Sequence, residues 1–133
     1  MTPSILNATD SRYPAQMLER LGNDAPAQVF ALGNLNLLEL SKTALFCSAR
    51  CPGYAILRAY DQAAYWRDAG RCVIGGFHSP VEKECLQILL RGSQPIIICP
   101  ARSSVQGLTV DASWRIMSAW FRNTSPWRTP SRK

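Results

Sequence analysis

Between residues 42 and 99 the chain repeats one pattern, and that pattern limits its fold more than any other feature. Three short apolar runs, Thr43-Ala44-Leu45-Phe46-Cys47, Cys72-Val73-Ile74 and Pro95-Ile96-Ile97-Ile98-Cys99, are separated by two segments with helical spacing. Runs that are apolar throughout, rather than at every second position, suit strands buried on both faces. The first intervening segment, 54–69, sets Ile56, Leu57, Tyr60, Ala63 and Ala64 on one face and turns Arg58, Asp61 and Arg67 toward water, and Gly70 closes it. The second has the sharpest start signal in the chain. Ser79 is placed to cap the helix, Pro80 takes the first helical position, and Glu82 stands three residues after the cap, the pattern of a capping box. Val81, Cys85, Ile88 and Leu89 form its apolar stripe, and Gly92 follows its last turn. Strand, helix, strand, helix, strand with short connections predicts a right-handed parallel α/β sheet.

The flanks are less regular. Residues 14–21 place Met17, Leu18 and Leu21 at helical spacing before Gly22-Asn23-Asp24 ends the run. Val29-Phe30-Ala31-Leu32 reads as a strand stopped by Gly33-Asn34, and Leu35, Leu37, Leu38 and Leu40 are expected to cover the core from a loop or helical turn. Past Pro100, residues 102–107 read as a loop and 112–121 as one short helix, while the Pro-, Ser-, Thr- and Arg-rich run 123–133 reads as disordered. The expected architecture is α/β, a Rossmann-like three-layer parallel sheet left incomplete on its C-terminal side. Residues 1–41 form a lead-in packed on a core of 42–111, and 112–133 form a basic Trp- and Arg-rich tail.

Composition narrows the function classes. A chain of 133 residues with 47% hydrophobic content suits one packed domain. No apolar run approaches the roughly 18 residues of a membrane span, and the N-terminus lacks the basic start and apolar stretch of a secretory signal, so the cytoplasm is the expected compartment. The five cysteines (Cys47, Cys51, Cys72, Cys85 and Cys99) are an odd number without a Cys-x-x-Cys pair, and His78 is the single histidine. That predicts reduced core and loop thiols, with no metal or other cofactor. The net charge of +6 sits mostly at one end: residues 1–111 hold ten basic and nine acidic side chains, and Arg115, Arg122, Arg128, Arg132 and Lys133 supply the rest. Such a tail fits phosphate backbones bound without sequence preference, and equally a solvated end.

In open parallel sheets, ligands sit beyond the carboxyl ends of the strands, where loops lead into helix N-termini. Two loops hold that position, Cys47-Ser48-Ala49-Arg50 and Gly75-Gly76-Phe77-His78-Ser79. Gly75-Gly76 lets the backbone approach a ligand, and the helix beginning at Pro80 aims free N–H groups and its positive dipole end at the same place, which suits a phosphate. The same residues also read as a tight turn and a cap with no further role. Ser48 and Arg50 suit a phosphate oxygen through hydroxyl and guanidinium, or are ordinary exposed side chains. His78, near Glu82 and Glu84, reads as a loop histidine facing ligand or solvent in preference to an acid–base catalyst, because no nucleophile is paired with it and Glu82 belongs to the cap. No Gly-x-Gly-x-x-Gly follows the first strand and no Gly-Lys-Ser/Thr loop occurs, which sets aside dinucleotide oxidoreductases and P-loop NTPases.

At these loops the sequence resembles the DNA-processing protein A family (DprA, also called Smf), within the wider LOG-like Rossmann superfamily. The resemblance spans residues 13–102. Tyr13-Pro14, Leu18, Asp24-Ala25-Pro26 and Val29-Phe30-Ala31-Leu32-Gly33-Asn34 follow the order of the family's lead-in, and Leu37-Leu38 with Ala44-Leu45-Phe46 stand where its first core strand is expected. Cys47-Ser48-Ala49-Arg50 is similar to the family's Gly-Ser-Arg loop, with the glycine replaced and an alanine interposed. Gly75-Gly76-Phe77-His78-Ser79-Pro80-Val81-Glu82 resembles its Ser-Gly-Leu-Ala-Arg-Gly-Ile-Asp loop. There Gly76 and Glu82 match in kind, while Ser79 stands for the arginine and Pro80 for the glycine. Residues 75–102, with Glu82-Lys83-Glu84-Cys85-Leu86 and Arg91-Gly92-Ser93-Gln94-Pro95, look like a divergent, C-terminally shortened subgroup.

The resemblance implies a non-enzymatic module that binds single-stranded DNA, forms a homo-oligomer and hands DNA to a RecA-type recombinase. On this reading Ser48, Arg50, Gly75, Gly76, Phe77, His78, Ser79 and Glu82 make the phosphate site, with Arg91 and Arg102 at its periphery. Trp114, Trp120 and Trp127 either stack on bases or fill a sheet edge left by absent strands. The alternative is a LOG-like sensor or hydrolase acting on a free nucleotide, although the Pro-Gly-Gly-x-Gly-Thr-x-x-Glu motif of that superfamily does not occur and Gly75-Gly76 with Glu82 echoes it faintly. A third reading is a chain whose unpaired sheet edge makes it work only as a dimer or beside a partner.

Overall fold

The computed structural model describes residues 4–99 and the backbone of a strand at 116–122. In chain order it contains β1 (Ser4–Asn7), α1 (Ala15–Leu21), β2 (Gln28–Gly33), β3 (Lys42–Ala44), α2 (Gly53–Asp68), β4 (Cys72–Gly75), α3 (Pro80–Leu90), β5 (Ile96–Ile98) and β6 (Ile116–Arg122). Short 3-10 turns lie at Gly22–Asp24 and Leu35–Glu39. Among the described residues the strands form a six-stranded sheet in the order β1-β2-β6-β5-β4-β3. β3, β4, β5 and β6 run parallel, β2 is antiparallel to β6, and β1 is antiparallel to β2.

Side chains alternate across a strand, so an apolar run must find cover on both sides. Val73, Ile96 and Ile98 face α2 and α3, where they meet Leu45, Ala63, Val81, Cys85 and Leu89. Cys72 and Ile97 face the other way and meet Ala31 and Leu37, the latter on the second 3-10 turn. A third cluster of Leu6, Tyr13 and Val29 fastens the lead-in, and the Tyr13 hydroxyl donates to the Pro26 carbonyl at 2.7 Å. Helices, sheet and lead-in make the three layers of a Rossmann-like α/β fold. Complete burial of one such aliphatic side chain contributes roughly 1.5–3 kcal/mol. Val73, Ile96 and Ile97 have no exposed surface at all, so the centre of β4 and β5 is where that contribution concentrates.

The two helices differ in how the sequence secures them. α3 begins as expected: Ser79 Oγ accepts the Glu82 N–H at 3.3 Å and Pro80 sits at the first helical position. At its other end Gln94 Nε2 donates to the Leu89 carbonyl at 2.7 Å, satisfying one of the acceptors a helix end leaves open. A side chain at Gly92 would run into Gln94 and Arg67, so the tight exit from α3 requires glycine. α2 has no side-chain cap. It is held by packing, through Ile56, Ala59, Tyr60, Ala63 and Trp66. Leu57 is exposed where burial was expected, because the helix turns its widest residue, Trp66, toward α3 and the sheet.

Two further expectations change. Phe46 lies outside the core: β3 is an edge strand, and the chain leaves the sheet after Leu45, whose N–H donates to the Ile74 carbonyl at 2.9 Å. Residues 116–121, expected as part of a short helix, form strand β6 instead. Helical spacing was a weak local preference, and the slot between β2 and β5 overrides it by offering a hydrogen-bonding ladder on each side. The parallel set therefore extends past β5, and the sheet edges are β1 and β3. The expected loop at 102–107, the disordered run 123–133, and Arg102, Trp114 and Trp127 lie outside the described residues. Ser118 pairs with Leu32 on one side and Ile98 on the other. Proline there removes a ladder donor from a central strand. Ser118→Pro is expected to destabilise the protein by about 1–3 kcal/mol through the ladder partner left unsatisfied, read as a fall of the urea midpoint that a solvated tail would not show.

Candidate functional site

The two loops leave the carboxyl ends of β3 and β4, which are neighbours in the sheet. Their closeness depends on glycine. A Cβ on Gly75 would lie 3.1 Å from the Leu45 carbonyl oxygen, and a Cβ on Gly76 would lie 2.6 Å from the His78 imidazole. Gly76 therefore makes the seat on which His78 rests, and the Cys99 carbonyl closes the floor at 3.4 Å. Phe77 then adopts φ +53, a left-handed conformation unusual for an aromatic residue. Its cost, on the order of 1–2 kcal/mol, is offset by burial of the ring beside Gly75. The outcome is a sharply turned loop fastened by one aromatic anchor. Among the described residues, the amides of Phe77, His78 and Ser79 have no hydrogen-bond partner.

Glu82 takes a different role from the one its spacing suggests. Ser79 supplies its half of the capping box, but the Glu82 carboxylate does not return to the cap. It is 8% exposed and accepts the Cys47 N–H across the gap between the loops, in a long contact of 3.5 Å. Glu82 thus ties the first loop to the start of α3.

Three thiols gather around this link. The Cys51 thiol donates to the Ser48 carbonyl at 3.1 Å. Burial raises the Cys47 thiol above its usual range, and the charges of Glu82 and Cys51 add to the effect. Burial also pushes Cys85 up to about 11, with Cys47 and Glu82 contributing, and burial alone takes Cys99 to about 11. At neutral pH these groups stay protonated and are poor nucleophiles. Among the described residues no group of three or more His, Cys, Asp or Glu is arranged to hold a metal ion.

At the surface of the site stand Ser48, Arg50, Gly76, His78 and Ser79. Ser48 Oγ accepts the Arg50 N–H at 3.3 Å, which shapes the first loop and leaves the hydroxyl proton available. Arg50 is exposed, and its guanidinium makes no ion pair with the described residues. Phe77 and Glu82 lie behind this surface, as anchor and tie, and Gly75 is buried at the strand end. Arg91 is not brought to the loops. It caps the far end of the 11-residue α3, about 16 Å from Pro80 at 1.5 Å per residue. Arg102 is outside the described residues, and of Trp120 only the backbone, in β6, is described.

Sequence reasoning missed the Glu82–Cys47 tie and the meeting of Cys47 with Cys85. Nothing in the spacing signals contacts between residues so far apart in the chain. It also missed a cavity of about 480 Å³ on the opposite face of the sheet, bordered by Tyr13, Met17, Leu38, Ile74, Ile97 and Cys99. The cations beside that cavity are already engaged: Arg12 pairs with Asp10 at 2.9 Å, and Lys42 donates to the Leu38 and Leu40 carbonyls at 2.6 and 2.7 Å. The strand-end loops remain the better place for an anion.

The fold has a counterpart among solved structures. The X-ray structure of DNA processing protein A (DprA) from Streptococcus pneumoniae matches 96% of this chain with a TM-score of 0.70 and 18% sequence identity. The chain has a DprA-like fold. It spans 46% of the length of that protein. No family model and no curated protein matches the sequence. The divergent DprA-like character expected from the lead-in and the two loops is thus seen at the level of fold, with most residues replaced. No helix among the described residues is long and apolar enough to cross a membrane.

Two outcomes follow from this geometry. The Cys85 and Cys99 thiols ionise near 9 when unfolded and near 11 when folded, so the unfolded chain loses those protons first. Their contribution to stability is complete below pH 9 and is lost as the pH rises to 11. Urea midpoints should fall across that window, and less steeply in Cys99→Ala. Gly76→Ala should displace the exposed His78 ring with a stability change within about 1 kcal/mol, seen as a shift of the imidazole NMR signals in a protein that stays folded.

Proposed function

We propose that the chain is a DprA-like module that binds single-stranded DNA at its strand-end loops and holds backbone phosphate without cleaving it. The observation that carries this reading is the set of amides at Phe77, His78 and Ser79 that have no partner among the described residues, at the amino end of α3, with the Ser48–Arg50 loop leaving the neighbouring strand. Backbone N–H groups at a helix start, together with a guanidinium, are the ordinary means of holding a phosphate. A fold like that of DNA processing protein A supports DNA over other phosphate ligands. Where the family carries an arginine in its second loop, this chain has Ser79 as the helix cap. Contact with phosphate passes from a side chain to the backbone, and Arg50 becomes the main charged partner. Self-association and hand-off of DNA to a RecA-type recombinase belong to the same reading. No catalytic step is assigned, because the Cys47, Cys85 and Cys99 thiols stay protonated and His78 has no hydrogen-bonding partner among the described residues.

Few cations border the loops, so binding should depend modestly on salt. Engagement of about two phosphates gives a slope of log K against log salt near −1.4 for a single strand. In fluorescence anisotropy, a short labelled oligothymidylate should bind with about that slope, and Arg50→Ala should weaken binding about fivefold, the equivalent of roughly 1 kcal/mol. Flat titrations at low salt, with Arg50→Ala indistinguishable from the parent, overturn the proposal. Release of free base from a nucleoside monophosphate, followed in parallel, would redirect the site to nucleotide chemistry.

A further inference from the structure

The cysteines divide between the two sides of the sheet. Cys72 lies in the cluster under the lead-in, and Cys99 packs against that same cluster. Cys85 lies in the helix-side cluster, with Cys47 and Cys51 packed against it. The Glu82 tie brings these three together. Its carboxylate accepts the Cys47 N–H, and Cys85, three residues after Glu82, stands on the same side of α3 one turn further on. The Cys47 and Cys85 thiols are accordingly within hydrogen-bonding reach of one another. Cys51 turns instead to its own loop, donating to the Ser48 carbonyl at 3.1 Å.

Access to the pair is one-sided. A groove of about 430 Å³ between the first loop and α2 is bordered by Cys47 and Cys51, with Phe46, Tyr54 and Arg58 beside them. Cys85 does not border it and has no exposed surface, and its thiol donates to the Ala59 carbonyl in a long contact of 3.7 Å. A reagent arriving from solvent therefore meets Cys47 first and reaches Cys85 only through it.

We propose that Cys47 and Cys85 are a reversible redox pair, in which hydrogen peroxide entering the groove oxidises Cys47 and Cys85 then closes a disulfide that locks the first loop to α3. In the first step the Cys47 sulfur attacks one peroxide oxygen, the O–O bond breaks, and the other oxygen leaves as water with the thiol proton. Cys47 is then a sulfenic acid. In the second step the Cys85 sulfur attacks the Cys47 sulfur, the S–O bond breaks, and the hydroxyl leaves as water with the Cys85 proton. Two thiols are oxidised by the two electrons that reduce one peroxide to two waters. Sulfurs already in contact need only a small shift to reach the roughly 2.0 Å of an S–S bond. Cys47, beyond the end of an edge strand, can supply that shift.

The resting form is the dithiol. Burial and Glu82 keep both thiols protonated at neutral pH, so peroxide reacts slowly and the lock answers sustained oxidant. A bond between residues 47 and 85 also closes a chain loop containing all of α2 and β4, which constrains the unfolded state. The lock concerns how the first loop is held and does not depend on which ligand binds there.

The test treats the full chain, folded and reduced, with excess hydrogen peroxide and follows intact mass, peptide maps and amide hydrogen exchange. The mass should fall by two hydrogen atoms, and two of the five free thiols should disappear. The map should show a Cys47–Cys85 cross-link that dithiothreitol reverses. In the oxidised form exchange across residues 47–51 should slow about tenfold, and the urea midpoint should rise. Cys51→Ser should still form the cross-link, whereas Cys47→Ser and Cys85→Ser should not. Cys85→Ser sets a hydroxyl in the core, so the parent's map and Cys47→Ser decide the pairing if that variant does not fold. A Cys47–Cys51 cross-link, sulfinic acid at Cys47 without a cross-link, unaltered thiols in the folded parent, or a cross-link that leaves exchange over 47–51 unchanged, each overturns the proposal.

Discussion

β4 and β5 carry apolar side chains on both faces, and a strand of that kind is stable only between two covering layers. Val73, Ile96 and Ile98 demand α2 and α3 on one side, while Cys72 and Ile97 demand the lead-in on the other. Ile96 and Ile97 need neighbours in the plane of the sheet as well, since an exposed backbone ladder beside them would stay unpaired. β6 supplies that neighbour, and through β6 the antiparallel lead-in strands join the parallel core. The order of the sheet, the placement of the helices and the direction of the loops all follow from covering these two short strands completely.

The candidate site inherits its geometry from the same source. β3 and β4 end on the same side of the sheet, so the chain must turn there twice, and it does so in a crowded space. Gly75 allows the Leu45 carbonyl to approach, Phe77 folds its ring back into the core at the cost of a left-handed backbone, and Glu82 crosses to the other loop. The features that stabilise the turn thus use the apolar and acidic side chains inward. What remains outward is backbone N–H, one serine hydroxyl, the His78 ring and the Arg50 guanidinium. Such a surface recognises an anion by donors and weak charge rather than by a dense cationic patch. The large positive net charge resides elsewhere in the chain.

The helix layer shows how one element answers two demands. α2 has no side-chain cap and depends on burying Trp66, Tyr60 and Ala63. Turning that face inward leaves Tyr54, Leu57 and Tyr65 outside. The site loop and the outer stripe share one helix, with the loop at its amino end.

Much of this was legible in the sequence. Two strands without alternation, the Ser79-Pro80 start of α3 and the glycines at 75 and 76 are local signals, and each depends on residues close together in the chain. They determined the strand–helix order, the parallel core and the position of the two loops. Contacts between distant residues were not legible. Whether Glu82 would close its own cap or reach Cys47, whether Leu57 or Trp66 would be buried, and whether 116–121 would be helix or strand depended on which partners the finished fold brought near. A local preference is worth a few tenths of a kcal/mol per residue, whereas a place in a sheet offers hydrogen bonds on both sides and burial on both faces. The loops were therefore identified by the sequence, but which of their groups face outward was decided by the tertiary structure.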